Sequence, residues 1–241
     1  MQRQLEGFRL SAQQTRLWTS QCKGQAYFAQ CAIRLDGPIQ TETLRRALQR
    51  VVARHDVLST TFHRPAGIRT PVQVIAQQNT LLWLNTDASE MDQEELIESL
   101  LEQERSHAFN IEHGPLLRLQ LLTCAPDSHI LLVTLPALCA DSRSLRNLVN
   151  ETTEAYRELS DGTHNGDERT QYLQYSELQH QLLSGLNAEK GRAFWQRLTN
   201  IDRQLELPGQ LTPNTQSKVP YATFRRTAQP QVAASLADFA A

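Results

Sequence analysis

The sequence predicts an α/β fold of the α+β sandwich type, a mixed β-sheet flanked by helices, over roughly residues 10–160. Short apolar runs with β-branched residues alternate there with amphipathic helical patterns. Two apolar runs, residues 116–124 and 129–135, enclose an Ala-Pro-Asp-Ser turn and therefore predict an antiparallel hairpin. Directly after the hairpin, Asp141 has the chemistry of a helix cap and is followed by a helical pattern.

In the first third of the chain, Ser11 and Gln14 have the spacing of a capping box and predict a short helix within residues 10–18. Thr41 is predicted to cap a second helix, which carries an apolar stripe and runs to about residue 55. Strands are predicted from the remaining apolar runs, at residues 27–35, 57–63, 72–75 and 81–84.

The rest of the chain is predicted to be mainly helical after the hairpin. At Pro136 the regular pairing of the second hairpin strand should stop or move to an edge of the sheet, because proline has no amide hydrogen to donate to a central ladder. Asp141 and Ser142 then supply an N-cap. One helix is predicted before the hairpin, at 92–108. After the hairpin, helices are predicted at 144–159, 172–183 and 188–198, with a loop at 161–168. A linker at 205–219, a strand at 223–226 and a helix at 233–240 are predicted for the remaining residues.

Composition excludes several classes of function. Lys and Arg total 24 and Asp and Glu total 26, so there is no basic excess for nucleic acid. Apolar runs are too short to span a bilayer, and the first residues lack the apolar core of a signal peptide. Cys22, Cys31, Cys124 and Cys139 are widely spaced, which argues against a metal site and indicates a reduced, cytoplasmic protein.

In the loop between the hairpin and the next helix, only two side chains have a titratable group that could take part in chemistry, Cys139 and Asp141. Cys139 is a candidate nucleophile if a base such as His55 lies nearby, but a small buried hydrophobic role is favoured. Asp141 is interpreted as structural, either as a helix cap or as the buried partner of an arginine such as Arg54.

Four stretches together resemble the condensation domains of nonribosomal peptide synthetases. They are the opening motif at residues 10–18, the second motif RHDVLSTTF at 54–62, FNIEHGPLLR at 109–118, and YLQYS at 172–176, which is followed by Phe194-Trp195 and LELP at 205–208. Two of them are similar to the family patterns RHExLRTxF and FDLxxGPLLR. Any one of these matches is weak, but four in the right order are a strong indication of the family.

The resemblance implies a fold like chloramphenicol acetyltransferase, with two lobes in a V and a tunnel between them. Residues 1–180 are then expected to form the N-terminal lobe. Residues 181–219 are expected to be a helix and inter-lobe linker, and residues 220–241 a truncated start of the C-terminal lobe.

The family's reaction centre is the motif HHxxxDG, whose second histidine orients or deprotonates the acceptor amine. Aligning the motif by its Asp on Asp141 places Pro136 and Ala137 at the two histidine positions and Ser142 at the glycine. Neither Pro136 nor Ala137 can accept a proton, so no catalytic residue of the motif is intact. Ser59 also replaces the second arginine of RHExLRTxF, and Gln174 replaces an acidic residue.

Two functions compete on this basis. The favoured one is a condensation-like domain that is unable to form amide bonds and serves as a docking or gating module for carrier proteins or a tailoring enzyme. The alternative is an active acyltransferase that joins a carrier-bound acyl donor to an amine by positioning alone. A free-standing acyltransferase on a diffusible acceptor is a third class. The resemblance implies peptidyl carrier proteins and neighbouring synthetase domains as partners. It implies no tightly bound cofactor beyond the phosphopantetheine arms of those carriers.

Overall fold

The structure is a computed structural model that describes residues 7–21, 27–68, 70–76, 81–89, 92–162, 170–199 and 231–232. The chain divides into two compact units, residues 1–193 and residues 194–241. Nearly all of the described structure belongs to the first unit. The second contributes the end of one helix, on which Phe194 and Trp195 pack edge to face.

Seven strands are described, in two sheets. They are β1 (Phe8–Arg9), β2 (Phe28–Asp36), β3 (Thr60–His63), β4 (Val72–Ile75), β5 (Leu82–Asp87), β6 (Arg118–Ala125) and β7 (Ser128–Pro136). A small sheet has the order β1-β4-β3, and the larger sheet has the order β2-β7-β6-β5. In the larger sheet β7 is antiparallel to both of its neighbours, whereas β5 runs parallel to β6.

Six α-helices are described. They are α1 (Ala12–Gln21), α2 (Thr41–Arg54), α3 (Gln93–Ser106), α4 (Ser142–Asp161), α5 (Tyr172–Ser184) and α6 (Leu186–Thr199). A 3₁₀ turn, Asp56–Ser59, follows α2 directly. Helix α3 connects the parallel strands β5 and β6, and Gly162 ends α4 with a left-handed backbone conformation at φ 71°.

The larger sheet is covered on both faces because the side chains of β7 alternate between two apolar clusters. Leu131, Val133 and Leu135 join the main core, to which α2 and α4 contribute. Ile130 and Leu132 face the opposite way and pack with the leucines of α3. Strand β7 therefore lies at the centre of the larger sheet, and the loop that follows it begins from a buried strand.

The predicted α/β class is confirmed, as is the antiparallel hairpin formed by β6 and β7. Residues 57–59, predicted as strand, belong instead to the 3₁₀ turn. There the hydroxyl of Thr60 donates a 2.7 Å hydrogen bond to the carbonyl of Asp56 and closes the turn locally. Thr41 is not a cap but the first helical residue. Gln40 occupies the N-cap position, and its side-chain oxygen accepts from the Thr43 hydroxyl rather than from a backbone amide.

Some predictions fall outside the described residues. The linker at 205–219, the strand at 223–226, the helix at 233–240 and most of the loop at 161–168 all lie there. The division of the chain at residues 180 and 219 stays a prediction.

Candidate functional site

The loop at the end of β7 is anchored through its backbone. Pro136 is the last residue of β7 and lies opposite Phe28 of β2, so regular pairing ends where the sequence predicted it. The amide of Ala137 donates to the carbonyl of Tyr27 at 2.9 Å, and the amide of Cys139 donates to the carbonyl of Pro136 at 2.9 Å. Pro136 and Ala137 thus lie where β7 ends its pairing with β2, and their side chains offer no proton acceptor.

Asp141 is the N-cap of α4. One of its carboxylate oxygens accepts from the Ser144 amide at 2.8 Å and from the Ser144 hydroxyl at 2.7 Å. These bonds, the hydroxyl's first, hold the pKa of Asp141 below its usual range. The alternative of a buried Asp141–Arg54 pair is wrong. Asp141 is exposed, and Arg54 lies 3.6 Å from Glu158, because α2 packs along α4 and brings that carboxylate to it.

A cavity of about 200 Å³ opens beside this loop. The loop, α1, α4, the end of α2 and the start of α5 all contribute to its walls. The side chains in its walls that carry an imidazole, thiol, carboxyl or hydroxyl group are His55, Cys139, Asp141, Ser144, Glu151 and Tyr172. The two candidate residues taken from the sequence, Cys139 and Asp141, therefore lie in one cavity together with His55.

His55 is paired with a carboxylate that the sequence analysis did not select. Its Nε2 atom lies 2.8 Å from Oε2 of Glu151, and the Glu151 side chain is only 9% exposed. Helical spacing places Glu151 among Leu148, Thr152 and Ala155, which are all buried. A glutamate within the apolar stripe of an amphipathic helix was the signal that could have identified it.

Cys139 is enclosed by apolar groups. It is 7% exposed, and burial raises the pKa of its thiol to about 12. A thiol becomes a nucleophile when a base or a positive environment lowers its pKa, which is the opposite shift. The geometry therefore supports the small hydrophobic role for Cys139.

A buried amide network ties α1 to the same loop. Ser11 and Gln14 form the predicted capping box, in which each side-chain oxygen accepts from the other residue's amide, at 3.0 and 3.1 Å. The Gln14 amide nitrogen donates to Oε1 of Gln73 at 2.8 Å and to the carbonyl of Leu138 at 3.0 Å. The Ser11 hydroxyl is 2.8 Å from that of Tyr172 on the cavity wall.

Other motif residues have structural contacts. The Arg118 guanidinium lies 3.9 Å from the ring centroid of Phe109 and donates to Glu104 and to the carbonyls of His107 and Ala108, each at 3.0 Å. This residue therefore fastens the segment between α3 and β6. Gln174 accepts from the Gln171 amide at 3.0 Å, so it serves the start of α5.

Ser59, which stands where the pattern RHExLRTxF has its second arginine, has a side chain whose polar group is not hydrogen-bonded among the described residues. In the part of the chain that the structure describes, the Ser59 hydroxyl is buried and makes no hydrogen bond. Over the same ranges, no three His, Cys, Asp or Glu side chains come together as metal ligands. None of the described helices is both long and apolar enough to cross a bilayer.

A comparison with family models matches residues 6–241 to a model described as Condensation domain. Malpibaldin synthetase of Mortierella alpina is 29% identical over 210 residues, and chondramide synthase cmdD of Chondromyces crocatus is 30% identical over 207 residues. The alignments cover 84% and 83% of this chain but only 4% and 5%, respectively, of those proteins.

Two solved structures have the same fold at low sequence identity. The starter condensation domain of rhizomide synthetase RzmA and the first condensation domain of the calcium-dependent antibiotic synthetase each superpose with a TM-score of 0.73 at 19% identity. Each superposition includes 83% of this chain and 49% of the solved chain. The chain thus spans about half the length of these structures.

Proposed function

The chain belongs to the condensation-domain family, and from that premise we propose that it receives carrier-bound substrates in a nonribosomal peptide synthetase without forming amide bonds itself. It acts as a docking or gating module for peptidyl carrier proteins, neighbouring synthetase domains or a tailoring enzyme. The phosphopantetheine arms of those carriers supply the reactive thioester, and no tightly bound cofactor is needed. The setting is the cytoplasm.

The observation that carries this proposal is the backbone role of residues 136 and 137. Pro136 closes the pairing of β7 with β2, and the amide of Ala137 continues it by donating to Tyr27. Two histidines at these positions would be the family's acid–base groups, whereas proline and alanine have none. The carboxylate that follows, Asp141, is committed to capping α4.

Retention of the surrounding architecture supports a binding role. The cavity beside the loop is open to a ligand, and Gln14 and Arg118 keep the loop and the α3–β6 segment in place. These buried contacts keep the residues around the cavity folded, and a folded surface with an accessible cavity is what a carrier-docking role requires.

The test is a reconstituted condensation reaction with the purified domain and matched carrier-bound donor and acceptor, analysed by mass spectrometry. We expect carrier binding in calorimetry but little or no amide product. Ala137→His alone is not expected to restore product, because Pro136, Ser142 and Ser59 also differ. Robust turnover by the unmodified domain would support the alternative, acyl transfer by positioning alone.

A further inference from the structure

The cavity contains an acid–base pair that does not come from the loop at residues 136–142. His55 stands at the C-terminal end of α2, and Glu151 reaches it from the middle of α4. Both side chains line the cavity that also receives Ala137 and Cys139. An imidazole is therefore present in the site, although it is supplied by a different element from the motif.

The hydrogen bond between the two residues fixes the roles of the ring nitrogens. An ionised carboxylate can only accept, so Nε2 of His55 carries the hydrogen that is donated to Oε2 of Glu151 at 2.8 Å. The neutral ring then has its lone pair on Nδ1. Among the residues that the structure describes, the His55 ring makes no other hydrogen bond. A carboxylate-oriented imidazole with one open nitrogen is the arrangement that general bases use.

The other titratable groups in the cavity are less suited to this task. Asp141 bonds to Ser144, Tyr172 bonds to Ser11, and Cys139 is a buried thiol that favours its neutral form. A cavity of about 200 Å³ holds several water molecules at roughly 30 Å³ each. Water is thus a nucleophile that can enter the site without a second carrier.

We propose that the His55–Glu151 pair is the base of a thioester-hydrolysing activity, which removes acyl groups from carriers that dock at this lobe. The proposal rests on the proposed function, because the docked carrier delivers the thioester. Hydrolysis releases a stalled acyl chain as a free acid, and this is compatible with the absence of amide synthesis.

The proposed step balances without an oxidant or a metal. A water oxygen attacks the thioester carbonyl carbon while Nδ1 of His55 takes a water proton, and Glu151 stabilises the imidazolium that forms. The tetrahedral intermediate collapses, the C–S bond breaks, and the imidazolium returns the proton to the leaving thiolate. The products are a carboxylic acid and the free pantetheine thiol.

The test uses the whole chain and a short acyl-pantetheine thioester, with the acid and the thiol quantified by liquid chromatography and mass spectrometry. We expect hydrolysis above the buffer rate and a decrease of about a hundredfold in His55→Gln, which is the low end for loss of a general base. Glu151→Gln should lower the rate about tenfold, because the imidazole loses a hydrogen bond to a charged group, and it should change the pH profile of the rate, because the imidazolium loses its negative partner. Matched controls are His113→Gln and Glu154→Gln, since both side chains are exposed and lie outside the cavity.

Circular dichroism and thermal unfolding of each variant separate a lost base from a lost fold. A folded His55→Gln variant that hydrolyses the thioester at the unmodified rate, or an unmodified chain no faster than buffer, overturns the proposal. Carrier binding is measured separately by calorimetry. Binding without hydrolysis refutes only the hydrolytic activity, whereas hydrolysis of the small thioester without carrier binding refutes the docking function.

Discussion

The side-chain amide nitrogen of Gln14, Nε2, lies 3.0 Å from the backbone carbonyl oxygen of Leu138, and this hydrogen bond links α1 to the loop that follows β7. The same nitrogen donates to Gln73 on β4. Gln14 is 1% exposed and Gln73 is fully buried. The loop beside the cavity is thus held from a helix that begins more than a hundred residues earlier.

Gln14→Leu should destabilise this part of the fold by about 2–6 kcal/mol, because it leaves the buried Gln73 oxygen and the Leu138 carbonyl unpaired at roughly 1–3 kcal/mol each. Urea unfolding followed by circular dichroism measures the loss. Gln13→Leu is the matched control, because Gln13 is exposed on the same helix. Equal stability of the two variants would show that the network contributes little.

Asp141→Ala should cost about 0.5–2 kcal/mol through loss of the α4 cap. The hydrogen bonds from Ser144 lower the pKa of Asp141 in the folded state. Its pH-dependent contribution is therefore complete above the unfolded pKa, near about 4, and is lost as the pH falls through the lower folded value. Asp141→Asn keeps a capping oxygen but removes this dependence. Unfolding midpoints at about pH 7 and pH 3 test both statements, and an Asp141→Asn variant with the same acid response as the unmodified chain contradicts the second.

Cys139 should resist alkylation in the native state. With a thiol pKa of about 12, roughly one molecule in ten thousand carries the thiolate at pH 8, and the side chain is 7% exposed. Iodoacetamide labelling, read by peptide mass spectrometry, should be at least about tenfold slower than in urea. Cys139→Ala should lower thioester hydrolysis by far less than His55→Gln does. Rapid native labelling, or loss of hydrolysis in that variant, would return Cys139 to consideration as a nucleophile.

The features that were predictable from the sequence are local ones. The hairpin of β6 and β7, the Ser11–Gln14 capping box and the Asp141 cap each depend on residues within a few positions of one another. The 3₁₀ turn after α2 was missed because apolar residues suggested a strand, whereas the Thr60 hydroxyl bond decides its geometry.

The pairing of His55 with Glu151 could not be found in this way. The two residues lie 96 positions apart and meet only because α2 packs against α4. The same limit applies to the parallel pairing of β5 with β6, which requires α3 to cross over the sheet. Local patterns thus predict elements and caps, whereas the site itself depends on long-range packing.

Arg118→Met should lower stability by about 1–3 kcal/mol, because it removes charged hydrogen bonds to Glu104 and to the carbonyls of His107 and Ala108. The Arg118 and Glu104 side chains are only 19% and 22% exposed. Arg105→Met is a useful control, since the Arg105–Glu102 pair is 45% and 72% exposed and should contribute less than about 1 kcal/mol. Equal effects of the two substitutions would argue against a fastening role for Arg118.

Amide hydrogen exchange should be slowest along β7, which is paired on both edges and buried on both faces. We expect residues 130–135 to exchange at least about a hundredfold more slowly than α6, whose described side chains are mostly exposed. The sequence-based prediction for residues 205–241, which lie outside the described part of the chain apart from 231–232, is also faster exchange than 130–135. Uniform protection along the chain would contradict both expectations.

The register that sets Phe28 against Pro136 has a consequence for synthesis on the ribosome. Strand β2 leaves the exit tunnel long before β7, the strand with which it pairs. Until β7 has also left the tunnel and paired with β2, the buried leucines and valines of α2 have no completed sheet to pack against. A nascent chain arrested before residue 136 should therefore recruit chaperones and be cut readily by protease. One arrested well past the end of α4, with that helix outside the tunnel, should have closed the lobe and resist both.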